Sequence, residues 1–308
     1  MSDPLAVIAQ FPGVPDAVDE ARQAVDRLYR HRVLRRASPA VSTESSLRGA
    51  RASAALEGVD VPLDALRRDE IHDPLVQGAL RASAEMGRMG PTWRKAPRQV
   101  LARLHSVAAA GLAPDRSGTD VADAPGPDSG AALSGTAVSG TVAPGTATSE
   151  ERPLAGSETS RSLGLSLGRP RTADEAPDPL GLGPAPTAKE AAARMDGLLD
   201  LLARPTKAPA LVLAAVVHAE LVVLRPFGTA DGIVARVAER LTLVEYGLDP
   251  KSLVAVEVGH LELPYADGLR AYLSGTPEGV AQWVQQCASA VTLGVRETAA
   301  ICEAMQRG

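Results

Sequence analysis

Residues 208–224 are almost wholly apolar, flanked by Arg204, Lys207 and Arg225 and interrupted by only two strongly polar side chains, His218 and Glu220. The run falls short of the roughly 20 residues that a bilayer span requires, and both interrupting residues are costly in lipid. A helix apolar on nearly every face is therefore predicted to be the buried central helix of an all-α bundle. It continues as His218-Ala-Glu-Leu-Val-Val-Leu-Arg-Pro-Phe-Gly-Thr-Ala-Asp-Gly-Ile-Val-Ala-Arg236, through a tight polar loop into a second, amphipathic helix. Pro226, Gly228 and Gly232 surround Asp231 in that loop. Such a loop points backbone N–H groups over the second helix's N-terminus, the geometry of an anion or nucleotide site.

With 308 residues, 45% of them apolar, the chain can build a sizeable core as one large domain or two small ones. A formal charge of -5 and a pI near 5.6 provide no basic footprint, so neither nucleic acid nor a membrane is expected as partner. Cys287 and Cys302 have neither a C-x-x-C pattern nor a His partner at ligand spacing. We expect buried, reduced thiols, with no disulfide framework and no metal site. Residues 1–13 show no basic run followed by an apolar stretch, which gives the expectation of a cytoplasmic protein.

Apolar periodicity predicts helices over 16–36, 47–59, 63–69, 74–89, 97–111, 188–202, 208–224, 232–246, 251–258, 264–274 and 277–305. Gly58 is read as a helix stop, which leaves Glu57 in a last turn where its charge opposes the helix dipole. His105 is expected as a hydrogen-bonded histidine of the core or its boundary, not as a ligand. Residues 113–161 turn abruptly to Ala, Gly, Ser, Thr, Pro and Asp, with no apolar period, and are expected to be a disordered insertion. Ser162-Leu-Gly-Leu-Ser-Leu-Gly-Arg-Pro-Arg171 alternates apolar with small polar residues, the pattern of a short β-flap able to add a strand to a protein partner. The chain thus divides into an N-terminal helical segment (1–46), the Glu57 helix with the first part of a helical domain (47–112), the insertion (113–161), and flap, core and C-terminal helices (162–308, core 208–247).

Taken in this order, the residues resemble the Fic (Fido-domain) family, whose members transfer a nucleoside monophosphate, usually AMP from ATP, onto a protein hydroxyl. The family signature, H-P-F-x-[D/E]-G-N-G-R-x-x-R, is filled without a gap from Arg225 to Arg236, with His218, Leu221 and Leu224 at the preceding family spacing. Separately, Ser53-Ala-Ala-Leu-Glu57-Gly58 is similar to the inhibitory-helix motif [S/T]-x-x-x-E-[G/N]. The resemblance implies a mainly helical Fic-like bundle. It also implies a nucleotide or anion loop made of Phe227, Gly228, Thr229, Ala230, Asp231, Gly232 and Arg236, and a lock in which Glu57 pairs with Arg236.

The departures from the signature bear on chemistry. Arg225 stands where the general-base His belongs, and a guanidinium cannot accept a proton. Thr229 replaces the acidic magnesium ligand, Ala230 the first loop Gly, Asp231 the Asn and Ile233 the first Arg. ATP or another nucleotide with magnesium, the cofactor implied by the resemblance, is therefore weakened at Thr229 and Ile233. The reading is a degenerate Fic-like protein, impaired as a catalyst, that binds a nucleotide, an anionic metabolite or a protein. Two alternatives stand beside it: an active transferase of a non-standard phosphate donor using Arg225 and Asp231, and a structural helical protein with an empty pocket. Oligomeric state is not legible in the sequence.

Overall fold

A computed structural model describes residues 3–112 and 167–307. The insertion at 113–161 and the first half of the flap, 162–166, lie outside these residues. The described chain forms α1 (Pro4–Ile8), α2 (Val14–Tyr29), α3 (Leu34–Leu56), α4 (Leu63–Arg67), α5 (Pro74–Trp93), α6 (Pro97–Ala108), α7 (Ala188–Ala203), α8 (Ala210–Leu224), α9 (Asp231–Glu245), α10 (Val256–Glu262), α11 (Tyr265–Leu273) and α12 (Pro277–Arg307). Among the described residues there is no strand, and the all-α expectation holds. Among the described residues no helix is long and apolar enough to cross a membrane.

At the centre runs α8, buried at every position except its first residue and Glu220. It packs most extensively on α9 and is covered further by α7, α11 and α12. Its uniform hydrocarbon surface leaves no side for water, as the sequence implies. The 31-residue α12 packs on α2, α10 and α11. Of the N-terminal helices, α2 packs on α12, while α3 and α5 pack together and α5 also packs on α6 and α9.

Several boundaries differ from the periodicity. The helix predicted to end before Ser38-Pro39 stops earlier, at Tyr29, and α3 runs across Pro39 to Leu56 with a kink at Ala37 (φ −119°, ψ 17°). After that kink Pro39 lies in a new first turn, where its missing N–H has no intrahelical partner to lose. Continuing past Gly90-Pro91, α5 ends at Trp93, whose buried indole donates to Thr242 Oγ1 at 3.1 Å. Residues 251–254 are loop, not helix, because the Asp249 carboxylate accepts the N–H groups of Leu253 and Val254 at 3.0 and 2.8 Å. The described part of the flap is a turn: Gly168 is left-handed (φ +75°) and donates its N–H to His105 Nδ1 at 2.9 Å. Pro170 has no N–H to offer a ladder.

Candidate functional site

The loop of interest joins two helices whose geometry its own residues dictate. Arg225 caps α8 in a left-handed conformation (φ +46°), and Ala230 precedes α9 in another (φ +53°). The loop departs from helical geometry at both ends, so it folds back over the first turn of α9. A cleft of roughly 540 Å³ opens there, lined by Glu57, Arg225, residues 228–232 and the 177–182 segment.

Beside this cleft, at Glu57, the two sequence motifs meet. Arg236 Nη2 donates to Glu57 Oε1 at 2.7 Å and to the Ser53 carbonyl at 3.0 Å, while its Nε donates to Ser53 Oγ at 2.8 Å. Arg236 is fully buried. Burial works against its charge, but Glu57 and Tyr265 more than offset this and raise its pKa. The end of α3 places Glu57: Gly58 N–H bonds to the Ala55 carbonyl at 2.9 Å and Val59 N–H to the Ala54 carbonyl at 3.0 Å, with Gly58 left-handed (φ +95°). That is a Schellman cap, which turns the chain sharply and leaves the Glu57 side chain facing α9. Gly232 completes the fit, since a β-carbon there would collide with Glu57 Oε1.

The substituted signature residues are each engaged elsewhere. Arg225 donates to the carbonyls of Pro177 (3.1 Å) and Gly183 (2.6 Å) and lies 3.7 Å from Asp178, so its guanidinium clips the 177–183 segment to the end of α8. Thr229 Oγ1 is 3.1 Å from His105 Nε2, and the His105 ring stacks on Phe227 at 4.3 Å. His105 is thus the bonded core histidine that the sequence suggests. Its Nδ1 accepts the Gly168 N–H, which leaves the proton on Nε2, and burial pushes its pKa down to about 4. Ile233, at the position of a phosphate-gripping Arg, is packed in the apolar core.

Asp231 behaves unlike an ordinary carboxylate. Its Oδ1 accepts the Phe227 N–H at 2.9 Å, and the Gly228 N–H also favours its charged form. Burial outweighs these bonds, with the nearby Glu57 charge adding to it, and raises its pKa to about 8. At neutral pH the group is therefore mostly protonated. A mostly neutral carboxyl places little negative charge against an incoming anion.

Arg171, which sequence reasoning left in the flap without a role, orders the loop from the other side. Its N–H bonds to the Pro226 carbonyl at 2.8 Å, and its guanidinium donates to the carbonyls of Leu224 (3.3 Å), Arg225 (2.9 Å) and Pro186. The Leu224 and Arg225 carbonyls are open acceptors at the end of α8.

Behind Arg236 lies a second constellation that linear spacing did not reveal. The second helix was expected to be amphipathic, yet Arg236, Glu239 and Arg240 of α9 are all buried. Glu239 Oε2 accepts from His218 Nδ1 at 2.7 Å and from His260 Nε2 at 2.8 Å. The Tyr265 hydroxyl is 2.7 Å from His218 Nε2 and 3.4 Å from Arg236 Nη1. Cys287 belongs to the same group: ligand atoms of His218, Glu239, His260 and Cys287 lie within 4.8 Å of one another. The expectation that these cysteines have no His partner rested on distance along the chain, which does not limit residues on four different helices. Both cysteines are free and buried, as expected.

No protein-family model matches this sequence, and no curated protein matches it. Among solved structures, a Fic family protein from Desulfovibrio desulfuricans G20 superposes with a TM-score of 0.62. The match covers 92% of this chain and 74% of that one, at 17% sequence identity. With the apolar α8, the folded-back loop and α9 in place, this likeness across nearly the whole chain leads to one conclusion: the chain has the fold of a Fic family protein.

Proposed function

We propose that this protein is a non-catalytic, Fic-like binding protein. In this reading the cleft at the start of α9 receives an anionic ligand of nucleotide type, in competition with Glu57. One observation carries it: Glu57, which lines the cleft, accepts from the buried Arg236 at 2.7 Å, while the positions that would serve AMP transfer are occupied by other work. Arg225 holds carbonyls, Thr229 meets His105 and Ile233 is core. Losing a general base removes about 10² to 10⁴ in rate, and losing charge stabilisation at a transferring phosphoryl group removes a comparable factor. A free Arg236, by contrast, retains the charge and planar donor set that suit phosphate.

A protein partner at residues 162–171 is part of the same proposal. Its support is the Arg171 N–H to Pro226 carbonyl bond, which ties the end of that segment to the loop. The transferase alternative loses Arg225 as a phosphate-binding group, because its guanidinium is engaged with the Pro177 and Gly183 carbonyls.

The test compares full-length wild type with Glu57→Gly, both verified as folded by circular dichroism. Incubation with α-labelled ATP, magnesium and cell lysate is expected to label no protein in either case. Magnesium-dependent labelling by Glu57→Gly would overturn the non-catalytic reading. Calorimetry with ATP, other nucleotides and phosphorylated metabolites is expected to show binding to the variant roughly tenfold or more tighter than to the wild type. Binding to neither form would leave the fold with a structural role alone.

A further inference from the structure

We propose that His218, Glu239, His260 and Cys287 form a buried site for one divalent transition metal ion, with zinc the metal that this ligand set suits best. The residues come from α8, α9, α10 and α12, and their candidate ligand atoms lie within 4.8 Å of one another. Two imidazoles, a carboxylate and a thiolate are a ligand set of the kind zinc takes in tetrahedral sites. Two anionic ligands balance a divalent charge, so the bound site would be neutral, as burial demands.

The side chains are no more than 1% exposed, so the position at the crossing of these helices is closed off from bulk solvent. Two groups of the cluster are also idle. His260 Nδ1 has no hydrogen-bond partner, and the Cys287 thiol makes no hydrogen bond among the described residues. A hydrogen-bonded relay through Glu239 accounts for His218 but leaves the Cys287 thiol without a purpose. A metal ion brings Cys287 into use.

The geometry needs only a small opening. Tetrahedral ligation at about 2.0–2.3 Å places neighbouring ligand atoms about 3.3–3.8 Å apart. His218 Nδ1 and His260 Nε2 now stand 2.7 and 2.8 Å from Glu239 Oε2, a contracted form of that arrangement. Metal entry sends the Cys287 thiol proton to solvent. It also moves the two imidazole protons facing Glu239 to the outer nitrogens, His218 Nε2 and His260 Nδ1. The first of these then donates to the Tyr265 hydroxyl oxygen, the outer partner that orients a ligating histidine. A site this enclosed fills as the chain folds, so uptake is linked to folding.

The experiment uses the full chain, expressed without a histidine tag and purified without chelators. Elemental analysis is expected to find about one zinc ion per chain. Protein unfolded in guanidinium with chelator, then refolded with cobalt(II), is expected to show the strong visible bands of a tetrahedral ion and a near-ultraviolet sulfur-to-cobalt charge-transfer band. The charge-transfer band disappears in Cys287→Ser. Adding zinc during refolding raises the thermal midpoint of the wild type, a readout that holds even if a variant fails to fold. Wild type that folds metal-free, takes up neither ion on refolding and keeps the same midpoint overturns the proposal. Cobalt bound without a thiolate band, or with one that survives Cys287→Ser, equally rejects this ligand set.

Discussion

Ala230 and Gly232 sit two residues apart and are constrained by opposite forces. Ala230 is left-handed, a conformation that costs a residue with a β-carbon about 1 kcal/mol or more. Ala230→Gly relieves that strain, less the entropy a glycine loses on folding, and we expect a gain of about 0.5–1 kcal/mol. Gly232 has no such φ, but it stands against the Glu57 carboxylate. Gly232→Ala is therefore expected to destabilise the protein by about 1–3 kcal/mol, as overpacking does, and to weaken the Glu57 contact. Urea denaturation of both variants checks the pair, and equal signs for the two changes would contradict this account. Only the first of these effects was legible in the chain: the signature comparison marks Ala230 as a departure, whereas nothing in the sequence says that Glu57 lies over Gly232.

At the scale of the element, the end of α3 and the start of α9 act as one device. The Schellman cap at Gly58 turns the chain where Glu57 must point at Arg236, and no neighbouring side chain fills the space around Gly58. Gly58→Ala thus adds no clash, and its expected cost of about 1–2 kcal/mol is conformational only. Crystallography or NMR of that variant is expected to show the Glu57–Arg236 bond lengthened or lost, with Ser53 still on Arg236. A variant that keeps both its stability and the bond would show that α9 positions Glu57 without the cap. The motif Ser53 to Gly58 announced this much. It did not announce the 23-residue length of α3, because Pro39 read as a stop until packing showed a kink with Pro39 in a fresh first turn. The periodicity of α9 likewise marked an apolar stripe but not the burial of its charged side, which follows from partners on α3, α10 and α11.

For the whole molecule, two buried groups bend the pH dependence of stability in opposite senses. His105 has a folded pKa of about 4, below its ordinary 6.5, so the unfolded chain binds more protons in that window. Its contribution is lost as pH falls from about 6.5 to about 4. Asp231 has a folded pKa of about 8 against an ordinary 3.8, so the folded chain binds more protons there and stability declines as pH rises through that range. Each slope is at most about 1.4 kcal/mol per pH unit. Denaturation of wild type and Asp231→Asn at pH 6, 7, 8 and 9 is expected to show the variant's advantage growing with pH and levelling off above about 8. An advantage that does not change with pH would mean that Asp231 is ionised throughout. By itself the sequence determined the all-α class, the buried α8 and the loop that follows it, because these rest on local periodicity and on turn residues set along the chain, while the pairing of Glu57 with Arg236 was implied only by the resemblance to the Fic family. Only the tertiary structure decided that Arg225 grips a neighbouring segment, that Asp231 is mostly neutral and that His218, Glu239, His260 and Cys287 converge. Those outcomes depend on burial and on contacts between helices far apart in sequence, and no residue carries that information until its neighbours are in place.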